Sequence, residues 1–568
     1  MNEKVEVTRI AILGGGPSAL FMFKRLVESN HPNLEVTIFE KKNRLGVGMP
    51  YGTGGANREH ITNVSDNEVP NFVSSIEEWS KMAPEQMLAE FKIDPDNFNE
   101  YKVLPRLFFG EYLAAQFDLL LALASDKDIV THVKYNCSIA DVVFLDDDIV
   151  KVIDEDGTSY LFNKVIMATG HSWPRKFESE IPNYFDSPYP PAKLKLKLNH
   201  EVAIKGASLT AIDAVRTLSR ANGKYFYENG KLYYTLDDGS EDFRIVLHSI
   251  SGLLPAVRFH LEDSRLKNDS LLSIDDIKAH KAENGGYVSL DFIFEKDFKE
   301  PFQEKNPSFY DWIKDMQLED FVDAMMNMRE KIEPFLLLGV EYDEAERSIR
   351  KHESIYWKEM LAILSFSMNY PAKYFSAEDM LRLKKKLMPL VSLVIAFVPQ
   401  SSCEELLALH NAGILDLISV GADSEIETLV EGGVIYHYKN DDGETVAKKY
   451  NTFVDAVGQP HLEFEDFPFA SLRNNGNISP ALLKFKHQDK AKEVLDSGNK
   501  KVKQINGSYY LDVPGIAIND DFQVIDANGK ESKNFFIMAV PYIGGFNPDY
   551  SGIDFSEEAS QRIMNSLF

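Results

Sequence analysis

Cysteine is scarce. Cys137 and Cys403 are the two in the chain, they lie far apart, and no CxxC or CxxxxC pair exists. That excludes a dithiol redox mechanism and a cysteine-built metal site. No HExxH and no comparable His/Asp cluster occurs, so no metal is implied. Positive charge is also in short supply, with 61 Lys and Arg against 88 Asp and Glu and a net charge of −27. Nucleic acids and anionic membrane surfaces need clustered Lys and Arg, which argues against both as partners. Long apolar runs are missing too. The longest, Leu387 to Val398, contains Pro389 and is too short to span a bilayer. The first ten residues, MNEKVEVTRI, carry no apolar signal-peptide core and lead straight into a strand pattern. A cytoplasmic protein is therefore expected. No repeat of solenoid period is visible.

What is present is an ordinary globular composition, 44% hydrophobic, on a chain long enough for roughly two to four domains. Strand and helix signals alternate from the start, which favours α/β layers around a parallel sheet. Residues 10 to 19 read IAILGGGPSA, and Glu40 closes the next apolar run, VTIFE. A buried strand, a glycine turn, a helix and a carboxylate at the tip of the second strand form the layout of a dinucleotide-binding βαβ unit. Gly14 permits the tight turn, and Gly16 lets the backbone approach a pyrophosphate without a Cβ in the way. The helix from Pro17 offers free N–H groups and a positive dipole end to phosphates. Glu40 can accept from ribose hydroxyls, and Ala19 fills the third fingerprint position.

Further along, EYLAAQFDLLLALA (111–124) reads as helix, DVVFLDDDIVKVIDEDG as a hairpin with an Asp-rich turn, and KVIMATG as a strand ending in Ala168-Thr169-Gly170. A Pro- and Lys-rich crossover at 183–198 leads to a second βαβ pattern, EVAIKGASLTAIDAVRTL. A hairpin-like excursion, KYFYENGKLYYTLDDG, and a strand, FRIVLHSIS, follow. Residues 263 to 390 are mostly helix-patterned, with one helix starting near Ser376 and Asp379 as its capping partner. The methionines of this stretch (Met325, Met326, Met328) read as core. VSLVIAFVP is expected as a return strand, VDAVGQ as the end of a later strand, NFFIMAV as a strand, and IDFSEEASQRIMNSL as a terminal helix.

The stretches GGGPSA, LGVGMPYG, HITNVSDNEVPNF, LPRLFFGEYL, ATGHSWP, GASLTAIDA, SGLLP and GGFNPDYSGIDFSEEAS occur in that order. Together they resemble bacterial FAD/NAD(P)-binding oxidoreductases related to flavin N-monooxygenases and class B flavoprotein monooxygenases. The resemblance covers residues 8 to about 260 and about 391 to 568. It implies an α/β fold of two Rossmann-like dinucleotide-binding domains, one inserted in the other, with an extra helical insertion. Residues 1–195 and 431–568 would form the FAD domain, and 196–430 the second, NAD(P)-like domain, with its helical insertion at about 263–390. Carried over by position, Gly14, Gly16, Pro17 and Ser18 would hold the FAD pyrophosphate, and Glu40 and Lys41 the adenosine ribose. Gly46, Gly48 and Tyr51 would lie on the loop passing the flavin, Asn63 and Val64 near the isoalloxazine, and Thr169 and Gly170 at the cofactor entrance. Gly544 and Gly545 precede a helix near Ile553 whose N-terminus would face the flavin pyrimidine and suit its negative charge when reduced.

The second fingerprint departs from the family pattern. Gly206, Ser208, Leu209 and Thr210 would bind a nicotinamide dinucleotide, but Ser208 stands where a second glycine is usual. Relatives often carry arginines just before GLLP, suited to a 2′-phosphate. Here the residues are His248, Ser249, Ile250 and Ser251, so NADH is favoured over NADPH. Arg258 reads as a solvated loop charge. Arg106 is counted with the cofactor-binding residues, with a local acid as its alternative partner. His171, after ATG, is a candidate proton shuttle with a near-neutral pKa or, more blandly, a loop histidine set by Trp173 and Pro174. Asp549 and Tyr550 are substrate-side candidates. The resemblance implies an FAD-dependent oxidoreductase, NAD(P)H-linked, with monooxygenation of a small-molecule substrate as the leading reading. A flavin reductase or dehydrogenase without oxygenation, and a non-enzymatic FAD-binding regulatory or partner protein, are the alternatives. Self-association is left open.

Overall fold

The computed structural model describes residues 7–145, 149–171, 173–261, 272–440, 442–549 and 552–568. Two parallel sheets organise it. The first runs in spatial order Gln523–Ile525, Glu531–Ile537, Lys164–Met167, Thr8–Leu13, Leu34–Glu40, Val130–Tyr135, parallel throughout except at its first edge. The second runs Tyr184–Phe185, Thr452–Asp455, Glu201–Lys205, Arg244–Ser249, Leu415–Ser419, parallel throughout. Each sheet centres on a strand that ends in a glycine turn, Gly14 in one and Gly206 in the other. In each, the chain lays strands to one side of that centre and later returns to its other side. Ligands of open α/β sheets bind at such reversals. The first sheet takes strands from both ends of the chain. The second takes Tyr184–Phe185 and Thr452–Asp455, so it reaches beyond residues 196 and 430.

Burial explains the central strands. Ile10, Ala11, Ile12 and Leu13 are all buried, as are Val202, Ala203 and Ile204, because each sheet is covered on both faces, by helices on one and by a small antiparallel sheet on the other. The helix Pro17–Glu28 packs Ala19, Leu20, Phe21 and Phe23 into the core. The helix Arg106–Asp126 is long and apolar enough to cross a membrane by length and composition, and just over half of its apolar window is buried. Phe108, Phe109, Leu113 and Phe117 stand inside the core of the first sheet.

Between Ile274 and Val394 the chain is helical, with two π-helical turns, Phe294–Lys299 and Leu383–Leu387. This middle region shares a continuous apolar core with the first sheet, through residues such as Ile277, Phe298, Leu364 and Leu387. Phe335, Leu338 and Ala345 pack instead against the second sheet. Met325 is buried in the core shared with the first sheet, while Met328 is exposed. Ser376 caps its helix by accepting from the Asp379 N–H, as the sequence suggests. The stretch VSLVIAFVP is not a strand: Met388–Val394 is helical. Leu390, Val391 and Val394 share one buried face at helical spacing, and a short apolar run does not by itself distinguish a buried strand from a buried helix. Only Val398 pairs as a β-bridge, with Val257.

A buried ion pair fastens the second sheet's helices. Arg216, on Leu209–Asn222, donates twice to Glu405, on Gln400–Asn411, at 2.9 Å each, and Arg220 adds a third and fourth contact. Replacing Glu405 by Gln leaves a buried guanidinium without its counter-charge. Unfolding free energy should fall by about 3–5 kcal/mol in urea denaturation. A loss below about 1 kcal/mol, the range of exposed pairs, would contradict this account.

His248 is buried at the end of Arg244–Ser249, stacked on Tyr436 at 4.2 Å, with Nε2 3.1 Å from the Tyr450 hydroxyl. Burial pushes its pKa from 6.5 to about 4. A histidine held neutral in the fold contributes stability that is complete above pH 6.5 and is lost as pH falls towards 4. Denaturation midpoints should drop across that window, and His248→Gln should shallow the slope. An unchanged slope would remove His248 from the acid response.

Candidate functional site

The first reversal point is a rim of bare backbone. Gly14 has φ +106°, and a Cβ there would stand 2.7 Å from the Ala168 carbonyl oxygen. Gly16 precedes the helix in extended conformation, and its Cβ would lie 3.2 Å from Gly48 Cα. The Gly46 N–H donates to the Gly15 carbonyl at 2.7 Å, which brings the 46–48 loop onto the glycine turn. The helix from Pro17 has no side-chain cap and no acid in its first turn, so its N–H groups are available to an anion. Ser18 Oγ lies 3.0 Å from Ser556 Oγ, tying this helix to the C-terminal one. Glu40 is buried, and its two oxygens accept from the Gly15 and Lys42 N–H groups at 2.8 Å each. Each oxygen keeps lone-pair capacity for a ribose hydroxyl. Lys41 beside it is exposed.

Across the turn, Thr169 Oγ1 is buried with no hydrogen-bond partner among the described residues, and a Cβ on Gly170 would meet open space. A buried orphan hydroxyl is uncommon and costly. Together with the bare rim and the uncapped helix, it fits a dinucleotide whose pyrophosphate lies over Gly14–Pro17. A cavity of about 490 Å³ adjoins the rim, lined among others by Lys42, Arg44, Gly48, Tyr51 and Glu111.

The expected flavin side is built from distant segments. Tyr51 packs edge-on against Phe109 at 4.9 Å, and burial raises its pKa. Asn63 is exposed and Val64 half-buried on the strand Ile61–Ser65. A Cβ on Gly544 would fall 2.0 Å from His461 Nδ1, and one on Gly545 2.4 Å from Val513 Cγ2, so both glycines admit close neighbours. Ile553 is buried in the first turn of Gly552–Leu567. Asp549 is buried and its N–H donates to Asn369 Oδ1 at 2.9 Å. Tyr550 lies outside the described residues.

The second reversal point repeats the first. Gly206 has φ +108°, and its Cβ would stand 2.7 Å from the Ala456 carbonyl oxygen. Ser208 holds φ −93° and ψ −167°, against −85° and −164° for Gly16. The backbone path therefore survives the serine, which is exposed and caps nothing. Leu209 and Thr210 form the first turn, with Thr210 Oγ1 3.8 Å from where a Gly458 Cβ would be. Register fixes the counterpart of Glu40. Gly14 donates to the Phe39 carbonyl and Gly206 to the His248 carbonyl, both at 2.8 Å, so Ser249 takes the acid's place. Its hydroxyl accepts from the Gly252 N–H at 2.9 Å. The preference for NADH rested on missing arginines, and at this position the matching acid is missing too.

Three expectations are corrected. Arg106 does not face the phosphate rim: it donates to the Ile61 carbonyl at 3.0 Å and to Asp213, which also accepts from Tyr189 at 2.7 Å. Burial alone would raise the Asp213 pKa, but Arg106 and the Tyr189 hydroxyl hold it low. Beside this pair, His60 Nε2 lies 3.2 Å from Thr217 Oγ1, which donates to Glu59 at 2.9 Å. Arg258 is not a solvated charge: it is buried, donating to Ser65 Oγ at 2.8 Å, to the Asn63 carbonyl and to Glu68. His171 is not near neutral, because burial pushes its pKa down to about 4. It stacks on Trp173 at 5.7 Å, and Trp173 donates to the Gly458 carbonyl at 3.3 Å, linking the two reversal points.

Asp213, Asn369 and His461 stand in these segments and are not among the sequence-expected residues. An acid among Ala211, Ile212 and Ala214 on a buried helix face was a readable sign of a buried cationic partner. The others carry no local signal.

Comparisons agree with this architecture. Residues 11–172 match the family described as FAD-NAD(P)-binding, and residues 273–395 match the family described as YdhS-like middle domain. The chain is thus α/β, with an FAD/NAD(P)-binding domain of Rossmann type and a helical middle domain. The uncharacterized protein YdhS of Escherichia coli is 26% identical over 472 residues, 82% of this chain and 86% of YdhS. Among solved structures, the FAD-bound cadaverine monooxygenase DfoA of Erwinia amylovora aligns at TM-score 0.47 and 10% identity, over 99% of this chain and 94% of DfoA. L-lysine 6-monooxygenase of Pseudomonas syringae aligns at TM-score 0.46 and 13% identity, over 99% of each chain.

Replacing Thr169 by Val removes the orphan hydroxyl while keeping its shape. If Thr169 bonds the cofactor, FAD affinity should fall by about tenfold, the worth of one hydrogen bond, with FAD-free stability unchanged or raised. Fluorescence titration with FAD and thermal denaturation read the two effects. Unchanged FAD affinity would detach Thr169 from the site.

Proposed function

We propose that this chain is an FAD-dependent oxidoreductase that takes its reducing equivalents from a nicotinamide nucleotide and acts on a small molecule, with monooxygenation as the leading reaction. The observation that carries this reading is the first reversal point, where bare glycines, an uncapped helix and the buried Thr169 hydroxyl meet beside Glu40. Gly14, Gly16 and the N–H groups after Pro17 would hold the pyrophosphate, and Glu40 the ribose. FAD would supply the electron transfer, and the protein orientation and electrostatics. The helix Gly552–Leu567 would turn its positive end to the ring, favouring negative charge there.

The cysteines support oxygenation or dehydrogenation over thiol exchange. Burial raises the Cys137 pKa, and burial raises that of Cys403 much further, so neither is a ready thiolate. Two free thiols accord with a cytoplasmic location. A second reading, an FAD-binding protein without nicotinamide turnover, is favoured by Ser208 and Ser249 at the second reversal point, where Ser249 stands in the place of the ribose-binding acid.

Anaerobic titration of the FAD-loaded protein with NADH and with NADPH separates the two. Bleaching of the flavin by either supports the oxidoreductase. Absence of bleaching by both supports the second reading. A chain that cannot be loaded with FAD would overturn both.

A further inference from the structure

Asn369 has half of its hydrogen bonding fixed and half unmet. It is 5% exposed and stands in the turn after the helix Tyr356–Ser367 of the middle domain. The Asp549 N–H donates to its Oδ1 at 2.9 Å. Only the oxygen of a side-chain amide can accept, so this bond settles which end is nitrogen. Nδ2 is then a buried donor, and among the described residues it has no partner. Buried polar groups are nearly always paired, and leaving one desolvated is costly.

The amide is held in one orientation by its neighbours. Tyr370 donates through its hydroxyl to Asp520 Oδ2 at 2.8 Å, and Tyr374 donates to Oδ1 at 2.7 Å. Lys373 Nζ pairs with the same carboxylate at 3.1 Å. Arg562, on the C-terminal helix, lies over the Tyr370 ring at 4.2 Å. Asp520 stands just before the edge strand Gln523–Ile525, so the turn carrying Asn369 is clamped to the first sheet.

Topology places the amide at the carboxyl edge of that sheet. Glu531–Ile537 runs parallel to Lys164–Met167, which runs parallel to Thr8–Leu13, so all three strands end on one side. The Met538 N–H donates to the Met167 carbonyl, and the Ala168 N–H to the Leu13 carbonyl, both at 2.8 Å. The chain beyond Met538 therefore leaves the sheet beside Thr169 and the Gly14 turn. It passes Asp549, where Asn369 meets it, and enters the helix Gly552–Leu567. Near the start of that helix Ser556 Oγ lies 3.0 Å from Ser18 Oγ, so the helix begins beside Pro17–Glu28. Two buried groups without partners among the described residues, Thr169 Oγ1 and Asn369 Nδ2, thus belong to one edge, the first from the sheet and the second from the middle domain. Open α/β sheets bind their ligands at that edge.

We infer that Asn369 is a cofactor-binding residue supplied by the middle domain, its Nδ2 donating to a carbonyl oxygen on the pyrimidine edge of the flavin. The inference rests on the proposed function for the identity of the cofactor and for the pyrimidine lying at the start of Gly552–Leu567. It deepens that reading, because the helical domain then completes the flavin site. A donor at a pyrimidine carbonyl favours the reduced ring, where negative charge collects, over the oxidised one.

The test compares the full chain with Asn369→Asp and Asn369→Ala under mildly alkaline conditions. Aspartate keeps an acceptor for the Asp549 N–H and replaces the donor by a second oxygen. Alanine removes the donor without adding charge, and it decides the matter if the aspartate variant does not fold. FAD affinity, read by fluorescence titration of the FAD-free chain, should fall by about tenfold, the worth of one hydrogen bond. The flavin midpoint potential should fall by about 30 mV or more, a tenfold shift of a two-electron equilibrium. A purely structural role would leave the potential unmoved. FAD bound with unchanged affinity and potential in the variants would overturn the inference and leave the proposed function standing. Weaker binding with an unmoved potential would also overturn it, because Asn369 would then only shape the pocket. A wild-type chain that cannot be loaded with FAD would overturn the proposed function and this inference together.

Discussion

The structure depends on one close approach, made twice. At the carboxyl end of each central strand the chain turns so tightly that the neighbouring strand's carbonyl oxygen sits where a side chain would begin. Gly14 faces Ala168 and Gly206 faces Ala456, each with 2.7 Å to the absent Cβ and a positive φ. No other residue type satisfies both conditions without moving the sheet. Because strand order reverses at these points, the space above them is free of crossing chain. A cleft at the helix N-terminus is a consequence of topology, and the glycine keeps it open.

The two clefts are then fixed relative to each other by buried charge. Arg106 reaches from the first unit to Asp213 in the second, and Arg258 reaches back from the second to Glu68. Such pairs add little net stability over well-packed apolar groups, but removing either partner is severe. They act as registration pins: a docking that leaves any of the four charges unpaired is strongly disfavoured. Trp173 adds a lighter contact between the clefts, through the Gly458 carbonyl. These directional groups add orientation to the apolar packing that the middle region makes with both sheets.

Local pattern was enough to read the central strands, the glycine turns, Glu40 and the C-terminal helix, since each is specified by residues within one βαβ unit or one amphipathic period. The apolar run before Val398 was misread because length and hydrophobicity alone do not separate a strand from a buried helix. Arg106, Arg258 and Asn369 were beyond reach for another reason. Their partners lie 107, 190 and 180 residues away, and nothing in the local sequence distinguishes an arginine destined for a carboxylate from one destined for a phosphate. Ser208 falls between the two cases. The substitution was legible, but its harmlessness to the backbone shows only in the dihedral angles it shares with Gly16.

The two reversal points differ where side chains matter. Both supply backbone, and backbone recognises any pyrophosphate. The first adds Glu40 and Thr169, while the second offers Ser249, already engaged with its own loop. The middle domain reaches the 541–549 loop through Asn369, which accepts from the Asp549 N–H. It shares its apolar core with the first sheet, so Asn369 is positioned by the same packing that shapes the first reversal point. A helical region with that anchorage is not a loose lid: it and the first sheet rest on one continuous core, and a change in the packing of either is felt by the other.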